Sequence, residues 1–343
     1  MKSEARRPIG VGVIGLGMAV APHMLALRDL EASGRVTVIG GHAPSAARRE
    51  GFATRWGAAV FAEQAALLAE PGLDLVLVLA PPGAHLPVAQ ACIEAGKHLI
   101  VEKPLELTVA RSEALAALAE AAGVQCGVCL QHRFRPASLR LKEAMLSGVL
   151  GQPLSASASI RWWRDDTYFA QPGRGSMARD GGGVLLTQAI HTLDLLLHLM
   201  GPVRDAVGFA QTSPLRVIDT EDVAAAALRF ENGAIGVLDA TSVARPGFAE
   251  RIEIAGTRGS AVLAAQRLEL HDTDGGAPAV FGDDGSGGGR ADPMAFDHGP
   301  HRALITEMLD AIESDRASSC SARSALPVQR LIEAVLTDAR QRA

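Results

Sequence analysis

Three groups of residues have types and spacings that could do chemistry. The first is Gly15-Leu-Gly17-Met18-Ala19-Val20, lying between a short apolar run over residues 10–15 and a helical stretch over 19–30. A glycine turn between strand and helix can hold a pyrophosphate. Gly15 permits the tight turn and Gly17 lets the backbone approach closely. The helix N-terminus supplies N–H groups and positive dipole charge, so Gly15, Gly17, Met18 and Ala19 form a candidate cradle. Val20 stands where a third small residue is usual, and a plain strand–turn–helix stays open as the other reading. The second group is Glu102-Lys103-Pro104, directly after a strand-like segment over 97–101. A lysine at the carboxyl end of a parallel strand stands where ligands bind, although a surface lysine after a strand looks the same. The third group is Asp180-Gly-Gly-Gly followed by Thr187-Gln188-Ala-Ile-His191-Thr-Leu-Asp194. Histidine suits proton exchange with a hydroxyl near neutral pH, but His191 could equally be a packed side chain on an apolar helix. His198 reads as packed and Asp194 as structural. No further ligands at sensible spacing turn His191 and Asp194 into a zinc site, and no metal is expected.

A ribose of NAD is usually held by an acid at the end of the second strand. None occurs between Ala32 and Arg49; the strand ends Gly40-Gly41-His42, with Arg48 and Arg49 close behind. That leaves room for a 2′-phosphate. The expected cofactor is NAD or NADP, leaning toward NADP, with His42 and Arg48 at the ribose end. A solvated helix face is the alternative for the arginines.

Such residues must be positioned by alternating strands and helices, and the first part of the chain has that rhythm. Strands are expected over 10–15, 36–39, 73–79, 97–101 and 124–130. Helices are expected over 19–30, 45–56, 87–95 and 109–122, the last two stopped by Gly96 and Gly123. Strands separated by single helices predict an α/β Rossmann domain, a doubly wound parallel sheet with right-handed crossovers. After about residue 150 the pattern changes. Strands over 154–163, 222–230 and 234–243 follow, the last two joined by the hairpin signal Asn232-Gly233, and another pair flanks residues 256–259. This predicts an α+β C-terminal domain with a large, mainly antiparallel, open-faced sheet. The expected domains are residues 1–130 and 131–343. Residues 274–292, rich in Gly and Asp, are expected to form a loop, and helices are expected over 301–313 and 327–341.

Of the 343 residues 48% are hydrophobic and 21% charged, enough apolar material for two cores. The net charge of −5 supplies no basic face for nucleic acid. No apolar run reaches the roughly 18 residues that span a bilayer. Residues 1–8 are charged with no apolar signal segment after them, so a cytoplasmic location is expected. Cys126 and Cys129 form a Cys-x-x-Cys, but on a strand-like segment without a second ligand pair. All four cysteines are read as buried thiols.

Three motifs together carry a resemblance: Ala80-Pro81-Pro82-Gly-Ala-His85, then Gly96-Lys-His-Leu-Ile-Val-Glu102-Lys103-Pro104, then Asp180 to Asp194. With these, the chain resembles the Gfo/Idh/MocA oxidoreductase family from about residue 8 to the final helix. The resemblance implies hydride transfer at a carbon bearing a hydroxyl, usually on a sugar or cyclic polyol. It implies that Lys103 lies near the nicotinamide and stabilises an alkoxide or relays a proton, with His191 as the second catalytic group. Ala80, Pro81, Pro82, His85, Glu102 and Arg174 would contact the cofactor, Glu102 also positioning Lys103. Gln131, Arg133, Arg164, Thr187 and Gln188 would face the substrate. Inositol dehydrogenase-like members carry an aspartate four residues before the histidine. Thr187 stands there in this chain, so proton handling would fall to Lys103 and His191. The run Gln131-His-Arg133-Phe-Arg-Pro136, with Trp162-Trp163-Arg164, Tyr168 and Arg174-Gly175, is similar to the branch that oxidises nucleotide-linked hexuronic acids. Family members pair through the open sheet, which implies a homodimer or homotetramer. Two other functions stay open: a dinucleotide-binding sensor without turnover, and NAD-dependent elimination or hydrolysis of glycosides.

Overall fold

The computed structural model describes residues 7–283 and 297–342. The chain forms two compact units. One takes in the chain up to Glu106, residues 110–129 and 298–324; the other takes in 107–109, 130–297 and 325–343.

The first unit is built on six strands: β1 (Ile9–Ile14), β2 (Val36–His42), β3 (Val60–Phe61), β4 (Leu75–Val78), β5 (His98–Val101) and β6 (Cys126–Val128). All pairs are parallel, in the order β3-β2-β1-β4-β5-β6. Helices α1 (Val20–Ala32), α2 (Ala46–Trp56), α3 (Gln64–Leu68), α4 (His85–Glu94) and α5 (Val109–Ala121) make the connections. Every residue of β1 and β4 is buried, as a parallel strand covered on both faces requires. This is the expected doubly wound α/β sheet, and its strand order reverses between β1 and β4. The short β3 and α3 carry too few residues to show a period, and sequence reading missed them.

The second unit is a mixed sheet with helices on one face. Its strands are β7 (Pro153–Arg161), β8 (Val203–Gln211), β9 (Val223–Phe230), β10 (Ile235–Thr241), β11 (Arg251–Gly256), β12 (Gly259–Ala264), β13 (Arg267–Asp272) and β14 (Ala279–Phe281), in the order β14-β13-β12-β11-β7-β10-β9-β8. All neighbours are antiparallel except β7 and β10, which are parallel. The sheet is thus mainly antiparallel, as expected, with one parallel pair. The chain leaves β7, runs through a helical segment, re-enters at the far edge as β8, and returns by two hairpins to lay β10 beside β7 in the same direction. Such a long crossover is what parallel neighbours need. Helices of this unit are α6 (Pro136–Leu146), α7 (Asp166–Phe169), α8 (Met177–Asp180) and α9 (Ile190–Met200). Alternation along β9 and β10 buries Ala224, Ala226, Leu228, Phe230 and Leu238 on one face. On the other face Val207, Phe209, Ile235 and Val237 are exposed.

Three expectations need correction. The strand β14 lies inside the loop expected over 274–292, and residues 284–292 of that loop lie outside the described residues. Helix α10 (Gly299–Glu313) belongs to the first unit, although the division at residue 130 put it in the second. Its buried side, including His301, Leu304 and Met308, packs on α1, and Arg35 pairs with Asp310 at 2.7 Å. Its amphipathic pattern says that it packs, not on what. Finally, Met177–Met200 has a mean hydropathy of 1.3 over its most apolar window despite interruptions, long and apolar enough to cross a bilayer, and 89% of that window is buried inside the protein. The chain ends in α11 (Ala322–Arg342).

Candidate functional site

In the first unit the carboxyl ends of β1, β4 and β5 lie side by side. Leu79 N donates to the Ile14 carbonyl at 2.7 Å, and Glu102 N to the Val78 carbonyl at 2.9 Å. Gly15 has φ +100°, and a Cβ there would stand 2.4 Å from the Leu79 carbonyl carbon, so only glycine fits. A Cβ on Gly17 would meet nothing nearer than Arg48 Nη1 at 4.0 Å. No side chain caps α1 at Ala19, its first turn carries no acid, and Met18 is exposed. An open glycine turn leading to a helix end without an acid suits a pyrophosphate. Val20 is buried, so its bulk turns into the core rather than into the turn.

At the end of β2, His42 Nδ1 lies 3.1 Å from the Phe61 carbonyl. A carbonyl only accepts, so Nδ1 carries the proton, and Nε2 of the neutral ring is an acceptor. Arg49 donates through Nη1 to the carbonyls of Ala43 and Pro44 at 2.6 and 2.9 Å, tying its own loop. Arg48 is exposed and reaches toward the glycine turn.

Ala80, Pro81 and Pro82 follow β4 and are partly or fully exposed. His85 is different. It is completely buried, with Nε2 2.8 Å from the Ala80 carbonyl and Nδ1 3.0 and 3.1 Å from those of Pro104 and Leu105. The expectation that His85 contacts a cofactor is therefore corrected: it staples the Ala80 loop to the Glu-Lys-Pro turn.

Glu102 is also turned inward. One oxygen lies 2.7 Å from Nε2 of the buried His23, and the other accepts the Lys103 backbone N–H at 3.0 Å. Burial opposes its ionisation. The His23 hydrogen bond and the positive charge of His23 and Lys103 overcome it, holding the carboxyl well below the usual carboxylate range. Both Glu102 oxygens are thus engaged within the protein, one of them on the Lys103 backbone. Cys129 Sγ lies 3.9 Å from His23 Nε2, and the His301 ring meets the His23 ring edge-on at 5.0 Å. These four side chains are of metal-ligating types. The 2.7 Å imidazole–carboxylate separation, however, is that of a hydrogen bond; two ligands around tetrahedral zinc stand about 3.3 Å apart. All four cysteines are buried and unpaired by disulfides, and burial alone pushes the Cys92 thiol up to about 12.

In the second unit His191 opens α9 and is buried, its ring stacked on His132 at 4.9 Å and 28°. Before α9, Leu185–Ala189 forms a turn of π-helix, a feature that frequently marks functional sites. Thr187 Oγ1 lies 2.6 Å from the Gly183 carbonyl and 2.5 Å from Gln188 Oε1, and Gln188 Nε2 donates to the Tyr168 hydroxyl at 2.9 Å. The Tyr168 ring carries the Arg174 guanidinium at 4.8 Å and that of Arg164 at 5.7 Å. Thr187, Gln188, Tyr168 and Arg174 line one small cavity. Tyr168 lies in α7, where Asp165 accepts its backbone N–H. His132, which adjoins Gln131, was not singled out in the sequence.

Two of the arginines are held by the protein itself. Arg174, expected at the cofactor, lies in the second unit, where it pairs with the buried Asp180 at 3.2 Å. Arg133, expected at the substrate, is buried with Nε and Nη2 on the two oxygens of Asp194 at 2.6 and 2.5 Å. That bidentate fork occupies Arg133, and it serves α9 rather than a ligand. Arg164 is buried and donates to the Trp163 carbonyl at 3.0 Å. Gln131 is half-buried at the start of a short turn of 3-10 helix. His198, expected to be packed, is half-buried: burial, then the charges of Arg133 and Lys142, pulls its pKa down to about 4.

A parallel sheet in this order, with an open glycine turn at its switch point and a lysine at its carboxyl edge, defines a dinucleotide-binding oxidoreductase unit, here joined to an open-sheet unit. Residues 9–130 match the model of the oxidoreductase family with an NAD-binding Rossmann fold, and residues 138–262 match the GFO/IDH/MocA C-terminal domain. The chain belongs to the GFO/IDH/MocA family of NAD-binding oxidoreductases. Myo-inositol 2-dehydrogenase of Thermotoga maritima is 32% identical over 200 residues, covering 56% of this chain and 57% of that enzyme. Levoglucosan dehydrogenase in complex with NADH and levoglucosan superposes with a TM-score of 0.87, at 23% identity over 98% of each chain. WlbA dehydrogenase from Bordetella pertussis in complex with NADH and UDP-GlcNAcA gives a TM-score of 0.84, at 23% identity over 98% of each chain. These two structures share the fold.

Proposed function

We propose that this protein is an NAD(P)-dependent dehydrogenase that moves a hydride between the nicotinamide and a secondary alcohol or ketone carbon of a sugar, cyclic polyol or sugar derivative. The observation that carries this reading is the Glu102–Lys103 turn, held at the carboxyl edge of the sheet by the buried His23. The bound cofactor supplies the hydride acceptor or donor. As hydride leaves the alcohol carbon, its hydroxyl must lose a proton, and the Lys103 amine stabilises the alkoxide or takes that proton. His191 is the second group able to exchange a proton near neutrality. Thr187 cannot act as a base, and its hydroxyl already meets Gly183 and Gln188. The resemblance to the branch that oxidises nucleotide-linked hexuronic acids favours an anionic sugar derivative within this class; Arg164 and Arg174 stand on the Tyr168 ring, Arg174 also paired with Asp180.

The test begins with cofactor. Arg48 beside the glycine turn, with no acid after β2, leans the choice toward NADP. Titration with NADH and NADPH, followed by nicotinamide fluorescence, is expected to show NADPH binding at least as well. Arg48→Ser should weaken NADPH about tenfold, the loss of one charge-assisted contact, and leave NADH nearly unchanged. Equal changes for both cofactors would remove Arg48 from the 2′-phosphate. A screen of polyols, aldoses and nucleotide sugars then follows nicotinamide absorbance. Cofactor binding with no turnover on any of them would favour a dinucleotide sensor, and product without net cofactor change would favour glycoside elimination or hydrolysis. We also propose a homodimer or homotetramer formed through the exposed sheet face bearing Val207, Phe209, Ile235 and Val237. A monomer by light scattering at micromolar concentration would overturn it.

A further inference from the structure

We propose that Glu221 is a positioning residue for the dehydrogenase reaction, clamping the start of the helical segment that carries Thr187, Gln188 and His191; the proposal rests on the function proposed above. Three successive backbone N–H groups meet this one residue. Gly183 N donates to Glu221 Oε2 at 2.9 Å, Val184 N to the Glu221 carbonyl at 2.8 Å, and Leu185 N to Glu221 Oε1 at 3.1 Å. These N–H groups open a helical run and have no partner within it, so an outside acceptor must supply one. The fit is close. A Cβ on Gly183 would stand 1.7 Å from the Glu221 carbonyl oxygen, so only glycine admits this approach.

The clamp leads directly to the candidate site. The Gly183 N–H is held by Glu221, and the Gly183 carbonyl accepts both the Thr187 N–H at 3.0 Å and the Thr187 hydroxyl at 2.6 Å. Thr187 in turn meets Gln188, and Gln188 meets Tyr168. Glu221 lines the same cavity as these three side chains. The π-helical turn between Leu185 and Ala189 changes the helical register just before His191, so a shift at residues 183–185 would carry into His191. A carboxylate suits the position because it is acceptor-only at both oxygens, and the helix N-terminus favours its charge. Burial pushes the Glu221 pKa up, with the N–H bonds from Leu185 and Gly183 working the other way. An amide would place its NH2 against a backbone N–H. Glu221 lies outside every motif in the sequence, and only the tertiary structure shows what it holds.

The experiment compares Glu221→Gln and Glu221→Asp with the wild type. It reads kcat and KM for the best sugar or polyol substrate, the affinity for NAD(P)H, and amide hydrogen exchange at residues 183–185. In E221Q, kcat/KM is expected to fall about 10- to 100-fold through misplacement of the site. Exchange at 183–185 should be faster, and cofactor affinity should hold, since the cradle lies in the other unit. E221D keeps an acceptor-only carboxylate and should recover part of kcat/KM; this arm decides the matter if E221Q fails to fold. Wild-type kcat/KM and wild-type exchange in E221Q would overturn the proposal, as would an E221D that regains stability with no gain in kcat/KM over E221Q. If the wild type turns over no sugar or polyol, the proposed function fails, and the proposal that rests on it fails in its catalytic part. Amide exchange then judges the clamp alone: faster exchange in E221Q upholds it, and unchanged exchange removes it.

Discussion

Replacing Lys103 by alanine should reduce turnover by about 10²–10⁴-fold, the usual contribution of a group that handles a proton in the transition state. Cofactor affinity should stay within a few fold, because the glycine turn at Gly15 and Gly17 that suits the pyrophosphate is separate from Lys103. The side chain is the part at stake. Glu102 holds the Lys103 backbone N–H at 3.0 Å, and alanine keeps that bond, so the turn should survive the substitution. A second variant separates charge from proton transfer. Lys103→Arg keeps the cation but holds its proton, so it should recover alkoxide stabilisation without acting as a base. Steady-state kinetics over a pH series, with NAD(P)H titration beside it, reads both effects. If K103A loses cofactor binding as severely as turnover, Lys103 is a cofactor ligand and its catalytic role is wrong. If K103A turns over normally, His191 or another group carries the proton.

Removing the Asp194 carboxylate should be the most destabilising single change among the polar side chains of the second unit. Asp194→Ala leaves the buried Arg133 guanidinium facing the space its fork now fills. Breaking a buried pair from one side costs about 3–5 kcal/mol, because the remaining charge stays desolvated and loses its counter-charge. Both residues position α9, so the loss should also reach His191. The double variant Arg133→Leu with Asp194→Leu removes both charges and should be more stable than D194A alone. Urea denaturation of the three proteins measures this. A double variant no more stable than D194A would mean that the uncompensated Arg133 charge is not the source of the loss and that the bidentate pair contributes little.

Other pairs look similar on paper and differ in weight. Arg161–Asp239 at 2.6 Å and Arg7–Asp74 at 2.7 Å each have at least one well-exposed member. Solvent and salt screen such pairs, and their loss should be close to neutral. Depth separates them from Arg133–Asp194, and sequence contains no measure of depth for an isolated arginine.

Some of this protein was determined by local physics and is legible in the chain. Continuous apolar runs such as Leu75–Val78 mark strands buried on both faces, and glycines such as Gly96 and Gly123 mark where helices stop. Gly15 must be glycine for its own backbone conformation, a property of one residue in one turn. The hairpin at Asn232-Gly233 is likewise local, since two residues are enough to reverse a strand. The α/β class, the cofactor unit and the family could therefore be read in advance.

What only the tertiary structure decided are the partners of polar side chains far apart in sequence. His23 meets Glu102, Arg133 meets Asp194, and Glu221 meets Gly183 to Leu185. His85 and Arg133 have the residue types of ligand-binding groups, yet the fold buries both on partners of its own. Helix α10 shows the same limit, since an amphipathic stripe states that a face is buried and not which element covers it. The reason is physical. Backbone conformation and hydrophobic period are set by neighbours within a turn or two of chain. The pairing of a buried charge is set by whichever opposite group the finished packing brings within about 3 Å, and no local rule encodes that distance.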